Sequence, residues 1–220
     1  MNKRYLIGGA LVVLTIVGVV LFLKKQPAME AIAGANYSAA KSIGRQGALI
    51  HMLEFSDFQC PACRAAQPTV KEAVRLYGND MRVDFRHYPL SGHKWSALAH
   101  QSAECAAKQY RFWGYHDRLF DDQALWSKSD DPTAIFLGYA KAMGLDLEGF
   151  AQCLADETVR DSILEEKAQG NDLKVSSTPT FFVNGERFVG HIELKEKGMP
   201  FIRKKLGLPD LKPEESVAAN

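Results

Sequence analysis

The 220-residue chain lacks a surplus of either charge: 27 Lys+Arg stand against 26 Asp+Glu, a formal net charge of +1. A nucleic-acid binder concentrates Lys and Arg on one face, so this balance gives no reason to expect nucleic acid as a partner. Cysteine is scarce. Four residues are too few to staple a disulfide-rich miniprotein, so their placement carries the meaning. The sequence also has no HExxH or other metal-spaced histidine set, no GxGxxG, no P-loop and no internal repeat. What it does have, 46% hydrophobic and 24% charged residues, excludes a disordered or collagen-like chain. The length suits one domain of ordinary size, or a domain plus an appendage, with a sizeable core.

The first informative segment is Tyr5 to Leu23, YLIGGALVVLTIVGVVLFL, which carries no formal charge. At about 1.5 Å per residue it reaches the roughly 30 Å of a bilayer's hydrocarbon core. Lys3 and Arg4 precede it and Lys24 and Lys25 follow, so residues 1–25 read as a transmembrane or signal-anchor segment. The stretch is longer than a signal-peptide core, which favours an uncleaved anchor, although Ala31-Ile32-Ala33 resembles a small-residue cleavage site. The flanking charges orient it only weakly; the N-terminus is placed inside because the remaining chemistry suits an oxidising exterior. Residues 26–47, rich in Ala, Ser and Gly without apolar period, read as a linker. Residues 208–220 read as a flexible, polar tail.

Ala48 to Phe55 is an apolar run of strand length, interrupted by His51 and Glu54. Ser56-Asp57-Phe58-Gln59-Cys60-Pro61-Ala62-Cys63 follows, and then a helical pattern to about Tyr77. Pro61 suits the first helical position, where its missing N–H would be unpaired anyway. Pro68 lies inside the helix and is expected to kink it. Cys60 at the helix start faces unpaired backbone N–H groups and the positive end of the dipole, which favour thiolate over thiol. Cys63 lies one turn later on the same face, within reach of a disulfide. An exposed, anionic cysteine over a tucked, resolving one is the asymmetry that thiol–disulfide exchange needs. Half of a zinc site and an inert structural bridge are the alternatives; zinc usually takes four ligands, and Cys105 and Cys153 stand apart.

Further along, Pro89 to about Leu173 has helical patterning. Ala97–Gln109, Arg111–Phe120, a helix opened by Asp131-Pro132, Leu147–Leu154 and Thr158–Ala168 are its expected helices. Trp95, Trp113 and Trp126 read as core, and the six histidines as ordinary surface or core residues. Cys105 and Cys153 fall on two of these helices, either as buried free thiols or, in an oxidising compartment, as a possible structural disulfide. Thr178-Pro179 followed by TFFV, Asn184-Gly185 and RFVG reads as a turn feeding a hairpin, since Asn-Gly is a favoured hairpin turn. Pro179 alone reads equally as a strand-start proline. Glu54 reads as a solvent-pointing strand end, and Arg86 or His87 could pair with it.

EFSDFQCPAC resembles the active-site segment of DsbA-like thiol:disulfide oxidoreductases, members of the thioredoxin superfamily. Pro68 matches the superfamily's helix-kinking proline, and Ser177 to Gly185 is similar to its cis-proline segment and following hairpin. The three motifs, in order, span Leu49 to about Leu206. The resemblance implies an α/β thioredoxin-like fold, a central mixed β-sheet flanked by helices, formed by residues 48–90 and 174–207. Residues 91–173 would be an inserted helical cap. It implies Cys60 and Cys63 as the catalytic pair, with Glu54 beneath the disulfide exchanging a proton with Cys63. Pro61 and Ala62 would tune the pair, and Thr178 and cis Pro179 would bind an incoming peptide as a short added strand. No cofactor beyond the Cys60–Cys63 disulfide and no metal are implied. The expected function is an extracytoplasmic oxidase, in the periplasm or on the outer face of the cytoplasmic membrane. It would introduce disulfides into unfolded or reduced exported proteins and be served by a membrane redox partner. A reductase or isomerase of the same fold, and a non-catalytic chaperone-like module, are the competing expectations.

Overall fold

A computed structural model of the chain describes residues 39–209. The membrane segment expected over residues 5–23, most of the linker and the tail beyond Pro209 lie outside the described residues. Among the described residues no helix is long and apolar enough to cross a membrane.

Five strands form one mixed sheet: β1 (Ser42–Ile43), β2 (Ile50–Ser56), β3 (Met81–His87), β4 (Thr180–Val183) and β5 (Glu186–Val189). Their order is β1-β3-β2-β4-β5. β2 and β3 run parallel at the centre, in register from Ile50↔Met81 to Ser56↔His87, and the other pairings are antiparallel. Side chains alternate between faces, so Ile50, Met52, Glu54 and Ser56 share one face with Met81, Val83, Phe85 and His87. Both central strands therefore begin apolar and end polar on that face, and the polar residues meet at their C-terminal ends.

α1 (Pro61–Tyr77) covers the apolar part of this face, burying Ala66, Val70 and Ala73 against Met52, Val83 and Val183. It continues through Pro68 to Tyr77 as one helix. After β5 the chain closes the same layer with α8 (Gly190–Glu193), a π-helical stretch (Leu194–Gly198) and α9 (Met199–Lys205).

Between β3 and β4 come α2 (Ser96–Lys108), α3 (Phe112–Asp121), α4 (Gln123–Trp126), α5 (Thr133–Ala142), α6 (Leu147–Ala155) and α7 (Glu157–Asp172). α2 packs against α3, α5, α6 and α7. Its Ala99, Ala103, Ala106 and Ala107 are buried, and their small side chains let the neighbouring helices approach. Asp146 and Asp156 cap α6 and α7 by accepting hydrogen bonds from first-turn N–H groups. Cys105 of α2 and Cys153 of α6 are joined as a disulfide across 48 residues of sequence. In the chain-entropy account such a crosslink stabilises the fold by about 4 kcal/mol.

Two sequence expectations need correction. Residues 39–43 are not a loose linker: Ala39–Lys41 forms a 3-10 turn and β1 pairs with β3. Lys41 is only 3% exposed and meets Glu104 at 2.8 Å and Glu166 at 2.6 Å. These partners are 63 and 125 residues away, so no local pattern reveals them. Gly44 then turns the chain at φ 92°, where a Cβ would lie 2.0 Å from the Met81 carbonyl oxygen. The second correction is α7, which runs on to Asp172 instead of stopping near Ala168.

α7 continues through Gly170 because its backbone rests on aromatic rings: a Cβ there would lie 2.8 Å from Tyr88 and 3.0 Å from Phe55. Tyr88 cannot easily yield, since its hydroxyl is bonded to Asn171 and to the Val175 carbonyl. Gly170→Ala is expected to destabilise the protein by about 1–3 kcal/mol through overpacking, read as a lower denaturant midpoint at unchanged slope.

Candidate active site

β2 delivers the chain to a turn, Asp57 to Gln59, and Cys60 becomes the N-cap of α1 in extended conformation, with Pro61 next. Pro61 is exposed and Ala62 half-buried. Cys60 and Cys63 are both free thiols, 7% and 0% exposed, so the exposure expected for Cys60 from its place at the helix start is corrected: the sulfur lies under the Thr178 loop. The Cys63 thiol, then Thr178, then the backbone N–H groups of Cys63 and Ala62 favour the Cys60 thiolate and lower its pKa to about 5, against the opposing effect of burial. Cys63 moves the other way: burial, and then the neighbouring Cys60 sulfur, push its thiol well above the ordinary range. The Asp57 N–H donates to the Cys63 sulfur at 3.3 Å.

Against the outer sulfur lies the loop before β4. The Thr178–Pro179 peptide is cis, and the Thr178 carbonyl oxygen is 3.5 Å from Cys60 Sγ. The Pro179 carbonyl accepts the Gly190 N–H at 2.8 Å, which ties this loop to the start of α8. Thr178 is 8% exposed.

Glu54 is fully buried on the face that α1 covers, and burial raises its carboxyl pKa. Its Oε1 accepts from Gln67 Nε2 at 3.0 Å, and the same amide lies 3.4 Å from the Cys63 carbonyl. Gln67 thus links the carboxyl to the turn that carries Cys63. Neither Arg86 nor His87 pairs with Glu54. Arg86 points to the opposite face and meets Glu166, while His87 is held by His100 and Glu104.

Four histidines that look ordinary in sequence surround this turn. Asp57 is the hub: its carboxylate accepts from the N–H groups of Gln59 and Leu90, the Ser96 hydroxyl and His93, each at 2.8 Å. His100 Nε2 is 3.7 Å away. Although burial opposes it, His100 and the backbone N–H groups of Leu90 and Gln59 hold this carboxyl well below the usual range. His100 Nδ1 meets His87 Nδ1 at 2.6 Å, and burial lowers the His87 pKa to about 4. His116 and Phe120 pack against Phe58, which stacks on Phe85 at 5.2 Å.

The helical layer also grips the turn directly. Gln123 Nε2 donates to the carbonyls of Phe58 and Cys60 at 2.7 and 3.0 Å, and Gln59 Oε1 accepts the Trp95 N–H at 2.7 Å. Only Asp57 among these clamps stands out in sequence, by lying three residues before Cys60. The structure therefore brings Cys60, Cys63, Glu54, Pro61, Ala62, Thr178 and Pro179 to one place. Cys105 and Cys153 lie elsewhere, within the helical layer. Among the described residues no group of three or more His, Cys, Asp or Glu side chains is arranged to hold a metal ion.

A mixed sheet whose dithiol opens a helix beside a cis-proline loop defines a thiol–disulfide oxidoreductase fold. A sequence model described as thioredoxin matches residues 38–199, and the chain belongs to that family. Alpha-DsbA1 of Wolbachia pipientis superposes with a TM-score of 0.68 at 24% identity, covering 80% of this chain and 96% of that one. BdbD of Bacillus subtilis superposes with a TM-score of 0.64 at 22% identity, covering 76% and 92%. The fold is thus that of the DsbA-type thiol–disulfide oxidoreductases. A curated relative from Salinispora arenicola, a Na(+)/H(+) antiporter NhaA 1, is 38% identical over 154 residues, 69% of this chain. The chain spans about a fifth of that relative's length, 22%.

The two sulfurs should titrate far apart. Because the folded Cys60 pKa is depressed, the dithiol form gains stability as pH rises above about 5 and loses it as pH falls through that value. The alkylation rate of Cys60 in the reduced protein should rise with a midpoint near pH 5, with Cys63 unlabelled throughout. A midpoint near that of free cysteine would show that the surrounding groups do not hold the charge.

Proposed function

We propose that this chain is an extracytoplasmic oxidase that introduces disulfides into reduced exported proteins through Cys60 and Cys63. The observation that carries the reading is the opposed bias of the two sulfurs: Cys60 favours the thiolate, while Cys63 beneath it favours the thiol. The cycle starts from the Cys60–Cys63 disulfide. A client thiolate attacks Cys60, the disulfide opens, and Cys63 leaves and takes a proton. A second client thiolate attacks the client sulfur of the mixed disulfide and expels the Cys60 thiolate, a good leaving group because its pKa is low. The client has lost two electrons and the Cys60/Cys63 pair has gained them. A membrane redox partner returns the pair to the disulfide. In this reading the Thr178–Pro179 edge receives the extended client as an added strand. Glu54 supplies the proton that Cys63 takes on leaving.

The direction follows from thiolate stabilisation. Each contribution that favours the Cys60 thiolate at neutral pH stabilises the reduced pair and raises the potential, making the disulfide the more oxidising. The extracytoplasmic placement draws support from the apolar stretch at residues 5–23 and from the Cys105–Cys153 crosslink, which persists in oxidising compartments. In the proposed domain plan residues 48–90 and 174–207 form the redox domain and 91–173 its helical cap.

The equilibrium of the Cys60/Cys63 pair with glutathione tests the direction. A potential well above the roughly −270 mV of thioredoxin is expected; a value near thioredoxin's would remove the oxidase reading in favour of a reductase. Cys63→Ala should accumulate mixed disulfides with clients, and Cys60→Ala should abolish exchange. Full function in Cys60→Ala would instead identify a non-catalytic binding module.

A further inference from the structure

Cys63 and Glu54 are both buried, yet each turn of the proposed cycle moves one proton from water to Cys63 and back. Glu54 lies in register with Phe85 on β3 and Phe181 on β4, all three on one face of the sheet. The His116 ring of α3 stands edge-on over Phe85, with ring centroids 5.3 Å apart. α3 runs beside α1: Lys71 Nζ meets Asp117 Oδ2 at 3.2 Å, and Gln67, which holds Glu54 Oε1, is one turn before Lys71. His116 is near enough to act on the Glu54 carboxyl, and its neighbour Asp117 reaches the surface, where its side chain is 42% exposed.

Glu54 Oε2 and His116 Nε2 are both buried without a hydrogen-bond partner among the described residues, as is Ser56 Oγ, two residues from Glu54 on the same face. Burying such atoms unpaired is costly. The other imidazole nitrogen is paired, with Nδ1 3.0 Å from Asp117 Oδ1. Phe58, Phe85, Phe112, Trp113 and Phe120 pack around the ring at 5.0–5.7 Å. Besides His116, Glu54 is approached by Gln67 of α1, which also reaches the Cys63 carbonyl, and by Ser56 of its own strand. Asp117 and, through it, Lys71 flank His116. His87 and His100 pack against Phe58 and Phe85 as well, where they serve Glu104 and Asp57.

We propose that His116 is a positioning residue that relays protons between the Glu54 carboxyl and the water at Asp117. The proposal rests on the reading of Glu54 as the proton donor to Cys63. When a client thiolate opens the disulfide, Cys63 leaves as a thiolate and takes the Glu54 proton. Glu54 recovers one from His116 Nε2, and Nδ1 takes one from water at Asp117. In reoxidation the Cys60 thiolate attacks a partner disulfide and one partner thiolate leaves. Glu54 passes its proton to Nε2 while Nδ1 releases one at Asp117. Glu54 then takes the Cys63 proton, and the Cys63 thiolate attacks Cys60, expelling the second partner thiolate. The partner gains the two electrons that the Cys60/Cys63 pair loses. The first half-reaction leaves the ring protonated on Nδ1 and the second restores Nε2–H, so the imidazole resets without rotating.

Stopped-flow reduction of the full-length oxidised protein by glutathione, followed across pH, tests the relay. A positioned acid–base group contributes about 10²–10⁴-fold, and losing its supply line removes part of this. His116→Gln is expected to slow the reaction about tenfold and to flatten its pH profile in the manner of Glu54→Gln; Asp117→Asn is expected to do so more weakly. If Glu54→Gln changes the profile while His116→Gln and Asp117→Asn keep the wild-type rate and profile, the relay is overturned and the Glu54 reading stands. If Glu54→Gln leaves the profile unchanged, the Glu54 reading falls and the relay with it. Should His116→Gln fail to fold, by circular dichroism, the surface variant Asp117→Asn decides: an unchanged profile overturns the relay.

Discussion

The structure depends on one electrostatic asymmetry, the unequal treatment of two sulfurs a single helical turn apart. Cys60 sits where α1 begins, and the Cys63 thiol and the N–H groups of the first turn hydrogen-bond its sulfur. Cys63 lies a turn deeper, inside the core and beside that charge, and both circumstances favour its thiol. Helix geometry sets up the difference, because the cap position faces unpaired amides and the fourth residue faces the sheet; the Cys63 thiol and the burial of Cys63 widen it. The polar ends of β2 and β3, the cis-proline loop and the clamps from the helical layer all hold this turn in place.

Those clamps show why the helices between β3 and β4 are more than a covering. Asp57, Gln59 and the carbonyls of Phe58 and Cys60 are each bonded to Ser96, Trp95, His100 or Gln123. From Asp57 the polar contacts continue through His100 and His87 to Glu104, Lys41, Glu166 and Arg86. Isolated charges at such depth would be costly, and they are tolerated because each one faces an opposite charge or hydrogen-bonding partners. The chain crosses from the active-site turn, through the layer between sheet and helices, to the edge strand β1.

Much of the site is legible in the sequence because its determinants are local. Cys60-Pro61-Ala62-Cys63 carries its own helix start, and Thr178-Pro179 followed by Asn184-Gly185 carries its own turn chemistry. The deep position of Glu54 came from the resemblance, since a glutamate near a strand end reads by itself as solvated. What could not be read depends on long-range pairing. Gln123 bonds the Phe58 carbonyl across 65 residues and the Cys60 carbonyl across 63, and Lys41 finds Glu166 across 125. His87, His93, His100 and His116 share no spacing, and only the tertiary packing collects them around Phe58 and Asp57. The short edge strand at Ser42–Ile43 is not legible in the sequence, because two residues carry no periodicity.

The Cys105–Cys153 crosslink fastens α6 to α2, the helix that also brings Ser96, His100 and Glu104 to the redox turn. A newly synthesised chain therefore carries four sulfhydryls, of which one pair ends as a crosslink and the other stays free at the start of α1. On the proposed function, the helices that hold the active-site turn would themselves need the same modification that the chain would introduce into other proteins.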